Sequence, residues 1–183
     1  MKNLPLILPL LLAACGSGGD QGKRICPQAA IVRDLAQVAD FAREEIADQR
    51  SLVAAGKIGR VESRCNFDKN TIEVEIEAQM LARRGPQLGG DRVEFPYFAA
   101  ILNDKDQPVA KQNMSARFRF DSDGRAEITE KLRVAIPEPA SASGAYWRVL
   151  LGFQLSPEQL AFNRNEKGEP KPVAAPGARA RAP

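Results

Sequence analysis

The sequence predicts an all-β protein, an antiparallel two-sheet sandwich of immunoglobulin-like architecture. A short helix is expected at its C-terminal end, and a short helix near its N-terminal end. Three observations predict this. Apolar and polar residues alternate over several stretches of about ten residues, the period-two signature of half-buried strands. Short Asn, Asp and Gly clusters separate the stretches, as turns require. At 44% of the 183 residues, the apolar content is enough to fill one core between two sheets.

The clearest element spans residues 71–80, TIEVEIEAQM, with Ile72, Val74, Ile76, Ala78 and Met80 on one face and Thr71, Glu73, Glu75, Glu77 and Gln79 on the other. Ile58 to Phe67 precedes it, with Val61, Ser63, Cys65 and Phe67 on one face, and Asp68-Lys69-Asn70 is the turn between. Val93 to Leu102, VEFPYFAAIL, is apolar on both faces and reads as a central strand. Pro96 within it lacks a ladder donor, which predicts a bulge or a strand start.

Asn103-Asp104-Lys105-Asp106 then turns the chain, and Val109 to Phe120 returns with Met114, Ala116, Phe118 and Phe120 inward. Asp121-Ser122-Asp123-Gly124 reads as a second hairpin turn, its glycine supplying a positive φ. Ala126 to Ile136 resumes the alternation through Ile128, Leu132, Val134 and Ile136. Glu130 interrupts that pattern, which predicts a bulge or a strand crossing. After a Pro137 to Gly144 loop, Tyr146 to Leu155 is the most apolar strand, with Trp147, Val149, Leu151, Phe153 and Leu155 on one face. Ser156-Pro157-Glu158-Gln159 starts a helix that ends near Asn163 or Arg164, with serine as cap and Gln159 closing a capping box. Over residues 29–50, Ile31, Leu35, Val38, Ala42 and Ile46 form a helical stripe, although Ile31-Val32 also suits a strand start.

The first fifteen residues, MKNLPLILPLLLAAC, read as an address. Lys2 is a minimal basic region, Leu4 to Leu12 a short apolar one, and Leu12-Ala13-Ala14-Cys15 a small-residue cleavage pattern ending in cysteine. The stretch resembles a bacterial lipoprotein signal. That resemblance implies removal of residues 1–14 and lipidation of Cys15, with two or three acyl chains that together anchor durably. Gly16 after the lipidated position favours the outer membrane over the inner, on the periplasmic face. Residues 15–25 are then a lipidated flexible tether rich in glycine. Residues 26–164 are the expected sandwich domain, and 165–183, with four prolines among alanines and basic residues, an unstructured tail.

Cys26 and Cys65 remain as a pair. An oxidising periplasm makes them a structural disulfide, pinning the start of the domain to its first long strand. A redox or metal thiolate pair is the alternative, but no CxxC spacing and no histidine accompany the two cysteines.

Composition excludes several function classes. The chain has no histidine, which removes Ser-His-Asp and Cys-His catalysis and histidine metal ligands. Net charge is +3 with the signs interspersed, unlike a nucleic-acid-binding face. Asp104 with Asp106, and Asp121 with Asp123, lack the glycine and glutamate positions of a calcium loop and read as turn chemistry. The Glu73, Glu75, Glu77 row reads as a solvated face, with docking of a basic partner as the alternative. Tyr97, Phe98, Trp147 and Phe153 read as core rather than as a ligand pocket. Arg83 and Arg84, before Gly85-Pro86, are placed in an exposed loop as candidate contact residues.

Cys26-Pro27, Cys65, Arg84-Gly85-Pro86, Phe95-Pro96-Tyr97-Phe98, Gly152-Phe153-Gln154-Leu155 and Asn163-Arg164 together resemble the pattern of a family of bacterial envelope lipoproteins with no assigned activity. The resemblance covers about residues 26–164. It implies a lipid-anchored envelope domain and supplies no catalytic residue. It also implies an early segment more extended than the helix read over 29–50. The functional expectation is a non-enzymatic module that binds another envelope protein through strand edges or loops, without metal or cofactor. The alternative is a carrier of lipid or glycan between the sheets.

Overall fold

The computed structural model describes residues 24–42, 49–137 and 143–167 of the chain. The expected signal sequence, Cys15 and most of the expected tether lie outside the described residues, as do residues 168–183. Within them the chain forms β1 (Gln28–Ile31), β2 (Gln37–Phe41), β3 (Leu52–Asp68), β4 (Thr71–Arg84), β5 (Arg92–Leu102), β6 (Pro108–Arg119), β7 (Arg125–Ile136), β8 (Arg148–Phe153) and α1 (Pro157–Lys167). One sheet has the order β1-β8-β5-β6 and the other β2-β3-β4-β7. The parallel β1–β8 pair apart, all neighbours are antiparallel. The expected two-layer sandwich is therefore present, with a strand order of its own: β2, β3 and β4 run as a meander within one sheet.

The alternation in β4 does what period two requires. Ile72, Val74, Ile76, Ala78 and Met80 are all buried, facing Phe95, Tyr97, Phe118, Val149, Leu151 and Phe153 from the other sheet. β3 begins six residues earlier than the sequence reading placed it. Leu52, Ala54, Gly56 and Ile58 face inward, then the register shifts between Ile58 and Arg60, and Val61, Cys65 and Phe67 take over the inner side. The extra residue, Gly59, swaps the inward parity from even to odd, so no single alternation runs through the strand.

Several expectations are corrected. Residues 29–50 do not form the expected N-terminal helix. Ile31 pairs with Leu151 at the end of β1, Leu35 closes a single 3-10 turn over Arg33–Leu35, and Val38 is buried on β2. The apolar spacing that mimicked a helical stripe serves three separate elements; Ile46 lies outside the described residues. Pro96 causes no bulge, since the β5–β6 register is unbroken across it. Its carbonyl accepts from Gln154 N just beyond β8, so the missing N–H falls where β8 stops.

Glu130 causes no bulge either: β4–β7 pairing is continuous, Glu130 sits opposite Ala78, and its carboxylate accepts from the Tyr97 hydroxyl at 3.2 Å. The turn at Asp121–Gly124 forms as expected, with Gly124 at φ +70° and Asp121 Oδ1 accepting from Asp123 N and Arg125 N. It is not a hairpin, because β6 and β7 belong to different sheets. α1 runs on to Lys167, past the expected end near Arg164.

The Cys26–Cys65 disulfide is formed, with Cα atoms 5.6 Å apart. It ties the segment leading into β1 to β3, and so staples one sheet to the other. α1 closes the exposed edge of β2. Ser156 and Gln159 make the reciprocal capping box, Gln159 N to Ser156 Oγ at 3.2 Å and Ser156 N to Gln159 Oε1 at 2.8 Å. Gln159 Nε2 then donates to Ala39 O at 3.3 Å, Asn163 Nδ2 to Asp34 O and Gln37 O at 2.9 and 2.8 Å, and Phe162 packs edge-on against Phe41. Helix side chains thus occupy backbone acceptors that an open edge would offer to another chain.

Candidate functional site

The space between the sheets is filled. Tyr97, Phe95, Phe118, Phe153, Ile58, Ile72, Met80 and Leu151 are among its largest fully buried side chains. Phe95 meets Phe118 and Phe153 edge-to-face, each at 5.9 Å between ring centres. The aromatic group named from the sequence divides. Tyr97 and Phe153 are core, Phe98 is half-buried outside with Lys111 Nζ 4.5 Å over its ring, and Trp147 packs half-buried at the margin.

No group of three potential metal-ligating carboxylates or cysteines occurs among the described residues. The turn aspartates serve their turns: Asp121 as above, and Asp106, at φ 61°, in an ion pair with Arg148. Asn103 Oδ1 holds the β5–β6 turn by accepting from Lys105 N and Gln107 N. Burial raises the Asp40 carboxyl above its ordinary value, opposed by a hydrogen bond from Gln159. That carboxyl lies beneath α1, where it helps seat the helix.

Function is better sought on the outer face of the β2-β3-β4-β7 sheet, which carries two contrasting halves. Toward the Asp68–Asn70 turn, the glutamate row of β4 is neutralised across the strands. Glu77 pairs with Lys131 at 3.1 Å and Arg64 at 3.5 Å, and Glu75 with Arg133 at 2.9 Å. Those cations come from β3 and β7, so the row does not stand as an uncompensated acidic surface. Glu73 also lies 3.9 Å from Arg133.

Toward the other end the pattern changes. Gln37, Lys57, Leu81 and Glu127 form one row across the four strands, and Ala39, Ala55, Arg83 and Arg125 the next. All of them but Ala39 line an open hollow of about 610 Å³. Lys57, Arg83 and Arg125 make no ion pair among the described residues. Arg83 and Arg125 are direct cross-strand partners, so two guanidinium-bearing side chains leave the backbone about 5 Å apart. The two carboxylates in the wall are otherwise engaged, Glu127 accepting from Gln79 Nε2 and Asp121 holding its turn. Leu81, 39% exposed, forms an apolar floor with Ala55.

The structure therefore relocates the candidate contact residues. Arg83 and Arg84 are the last residues of β4 rather than a loop. Arg83 lines the hollow, while Arg84 donates to Leu88 O at 3.0 Å and closes the following turn. Lys57 and Arg125 were not singled out from the sequence, because their approach to Arg83 depends on strand register. One local signal existed: Leu81 is the first apolar residue on the otherwise polar face of β4.

No family model matches the chain, and no curated protein does. Among solved structures, it is similar to the Streptococcus agalactiae AgI/II polypeptide BspA variable (V) domain, at 9% identity and a TM-score of 0.20. The match covers 64% of this chain and 72% of that one. A likeness at that score carries no argument about the site.

Proposed function

We propose that this chain is a lipid-anchored, non-enzymatic binding module of the bacterial envelope, held through Cys15 and docking another envelope protein in the hollow around Arg83. The observation that carries this reading is the contrast on one sheet face. Its glutamate row is neutralised strand by strand, while Lys57, Arg83 and Arg125 stand without an ion-pair partner among the described residues beside an exposed leucine, three cations against the two carboxylates Asp121 and Glu127. Like charges directly opposite one another weaken a sheet. Such a local conflict with the fold is expected where a surface serves recognition.

The mix of cations, two carboxylates and an apolar floor suits a polypeptide segment carrying acidic and apolar side chains. Position supports the same reading. The tether enters beside Cys65, and Lys57 lies eight residues away along β3, roughly 25 Å at strand rise. The hollow is thus held away from the anchored end. Among the described residues, large buried side chains such as Phe95, Tyr97, Phe118 and Phe153 occupy the space between the sheets, which lends the carrier alternative no support.

The test is photo-crosslinking from position 81 in cells making the full chain. A single reproducible envelope protein should be captured, and the Arg83→Glu/Arg125→Glu variant should lose it while keeping its circular dichroism and melting temperature. Recovery of no reproducible partner, or undiminished capture by the double variant, would refute the docking site. Separately, Cys15→Ser should release the protein from the membrane fraction; unchanged fractionation would refute the anchor.

A further inference from the structure

The described residues include four large apolar side chains left exposed: Ile25 at 47%, Leu81 at 39%, Val109 at 53% and Tyr146 at 67%. Leu81 belongs to the hollow. The other three share one end of the β1-β8-β5-β6 sheet. Ile25 leads into β1, Tyr146 leads into β8, and Val109 is the second residue of β6. The segment from Ile25 to Gln28 runs beside Gly144–Trp147. Gln28 N donates to Trp147 O at 3.3 Å, and Gly144 is packed so closely that a Cβ there would strike Ile25 O and Pro27. β1 and β8 are parallel and in register from Gln28 and Arg148, so Ile25 and Tyr146 emerge at the same end. Leu102 aligns with both Arg148 and Pro108, which brings the start of β6 level with them.

This is also the end from which the chain runs back toward Cys15, nine residues before Arg24. Nine extended residues reach about 30 Å at most, so acyl chains on Cys15 would hold this end near the bilayer surface. A patch of an aliphatic residue and a tyrosine at the mouth of a membrane tether meets acyl-chain boundary and headgroups. Tyrosine, with an apolar ring and a polar tip, suits that boundary. Arg24 lies 5.7 Å over the Phe67 ring and Lys111 follows Val109 by two residues on β6, cations that suit an anionic membrane surface. In the turn, Lys105 stands between Asp104 and Asp106, the latter paired with Arg148.

We infer that the Ile25–Tyr146–Val109 end is a lipid-contacting foot, which sets the body upright on the bilayer and turns the Arg83 hollow away from it. The inference rests on the anchoring at Cys15 in the proposed function, and its test is arranged so that the two can fail separately.

Trp147, the one tryptophan of the chain, stands beside Tyr146 and serves as reporter. The mature chain from Cys15 would be coupled through the Cys15 thiol to a maleimide-headgroup lipid, Cys26 and Cys65 being bridged and unreactive. This lipid would be placed in phosphatidylcholine–phosphatidylglycerol vesicles carrying brominated acyl chains. Flotation reports attachment, and Trp147 emission reports contact. The expected result is quenching of Trp147 in the coupled wild type. In Ile25→Ser/Tyr146→Ser, that quenching should be lost while flotation is complete. Unquenched emission from floated wild type would overturn the foot and leave the patch to a protein partner; quenching undiminished in the double variant would overturn it as well. Because the coupling is chemical, neither result depends on lipidation in cells, which the fractionation of Cys15→Ser decides on its own.

Discussion

The Tyr97 hydroxyl donates to the Glu130 carboxylate at 3.2 Å, joining the central strand of one sheet to the edge strand of the other. A carboxylate on the inner side of an edge strand discourages pairing with a foreign strand. Its burial is tolerated because a donor from the facing sheet reaches it, and because Ala78 opposite leaves room.

Tyr97→Phe removes that donor and leaves a half-buried acceptor to water. The expected cost is about 1–2 kcal/mol in urea unfolding, with Glu130→Gln costing less because an amide oxygen still accepts. The same pair sets an alkaline limit. Burial first, and the neighbouring Glu130 charge and hydrogen bond next, raise the Tyr97 phenol above its ordinary value near 10. A group whose folded value is raised contributes stability that is complete below the unfolded value and is lost as pH rises through the folded one. Stability should therefore hold up to about pH 10 and decline above it. In a Tyr146→Phe background, tyrosinate absorbance should appear only with unfolding; ionisation in the folded protein near pH 10 would contradict this.

Removing the Cys26–Cys65 bridge enlarges the unfolded ensemble by opening a loop with a sequence separation of 39. The double Cys→Ser variant should lose about 4 kcal/mol in the chain-entropy account, less any strain released. Thiol labelling of the unfolded, unreduced Cys15→Ser chain should find neither Cys26 nor Cys65 reactive; two reactive thiols would refute the bridge.

Asn163→Ala should uncover one edge of the sandwich. The Asn163 amide, 6% exposed, serves both Asp34 O and Gln37 O, so its removal strands two acceptors at once. A loss of about 2 kcal/mol is expected, with faster amide exchange confined to β2 and α1. Exchange rising equally in β5 and β8 would show that the helix supports the whole sandwich rather than one edge.

Arg125→Gln separates recognition from folding. It removes one of two cations standing directly opposite each other, so stability should be unchanged or higher by up to about 0.5 kcal/mol. Capture of the partner from position 81 should nonetheless fall. A loss of stability with full capture would reverse the assignment of Arg83 and Arg125 to recognition.

Much of the fold was legible because the signals are local. Period-two alternation set the buried faces of β4, β6 and β8, and the Ser156/Gln159 capping box was readable four residues at a time. Failures came where one residue answers to two constraints. The spacing of Ile31, Leu35 and Val38 fits 3.6 residues per turn, yet each residue packs on a different element. Gly59 hid the first half of β3 by shifting its parity. Glu130 resembled a bulge because its donor lies 33 residues away in sequence. The hollow was the least legible feature: only Arg83 was named, and its neighbours Lys57 and Arg125 come from flanking strands.

By itself, then, the sequence determined which residues turn inward, where the chain reverses, which two cysteines can bridge, and where a helix begins, since each follows from bonding and burial within a few residues. Only the tertiary structure decided that the tight Asp121–Gly124 turn passes from one sheet to the other. It alone brought Arg83 to face Arg125, and gathered Ile25, Tyr146 and Val109 at one end. The physical reason is that a turn fixes the direction of the next strand but not its neighbour. Pairing is chosen by the burial of whole faces against one another, a sum over residues far apart in the chain.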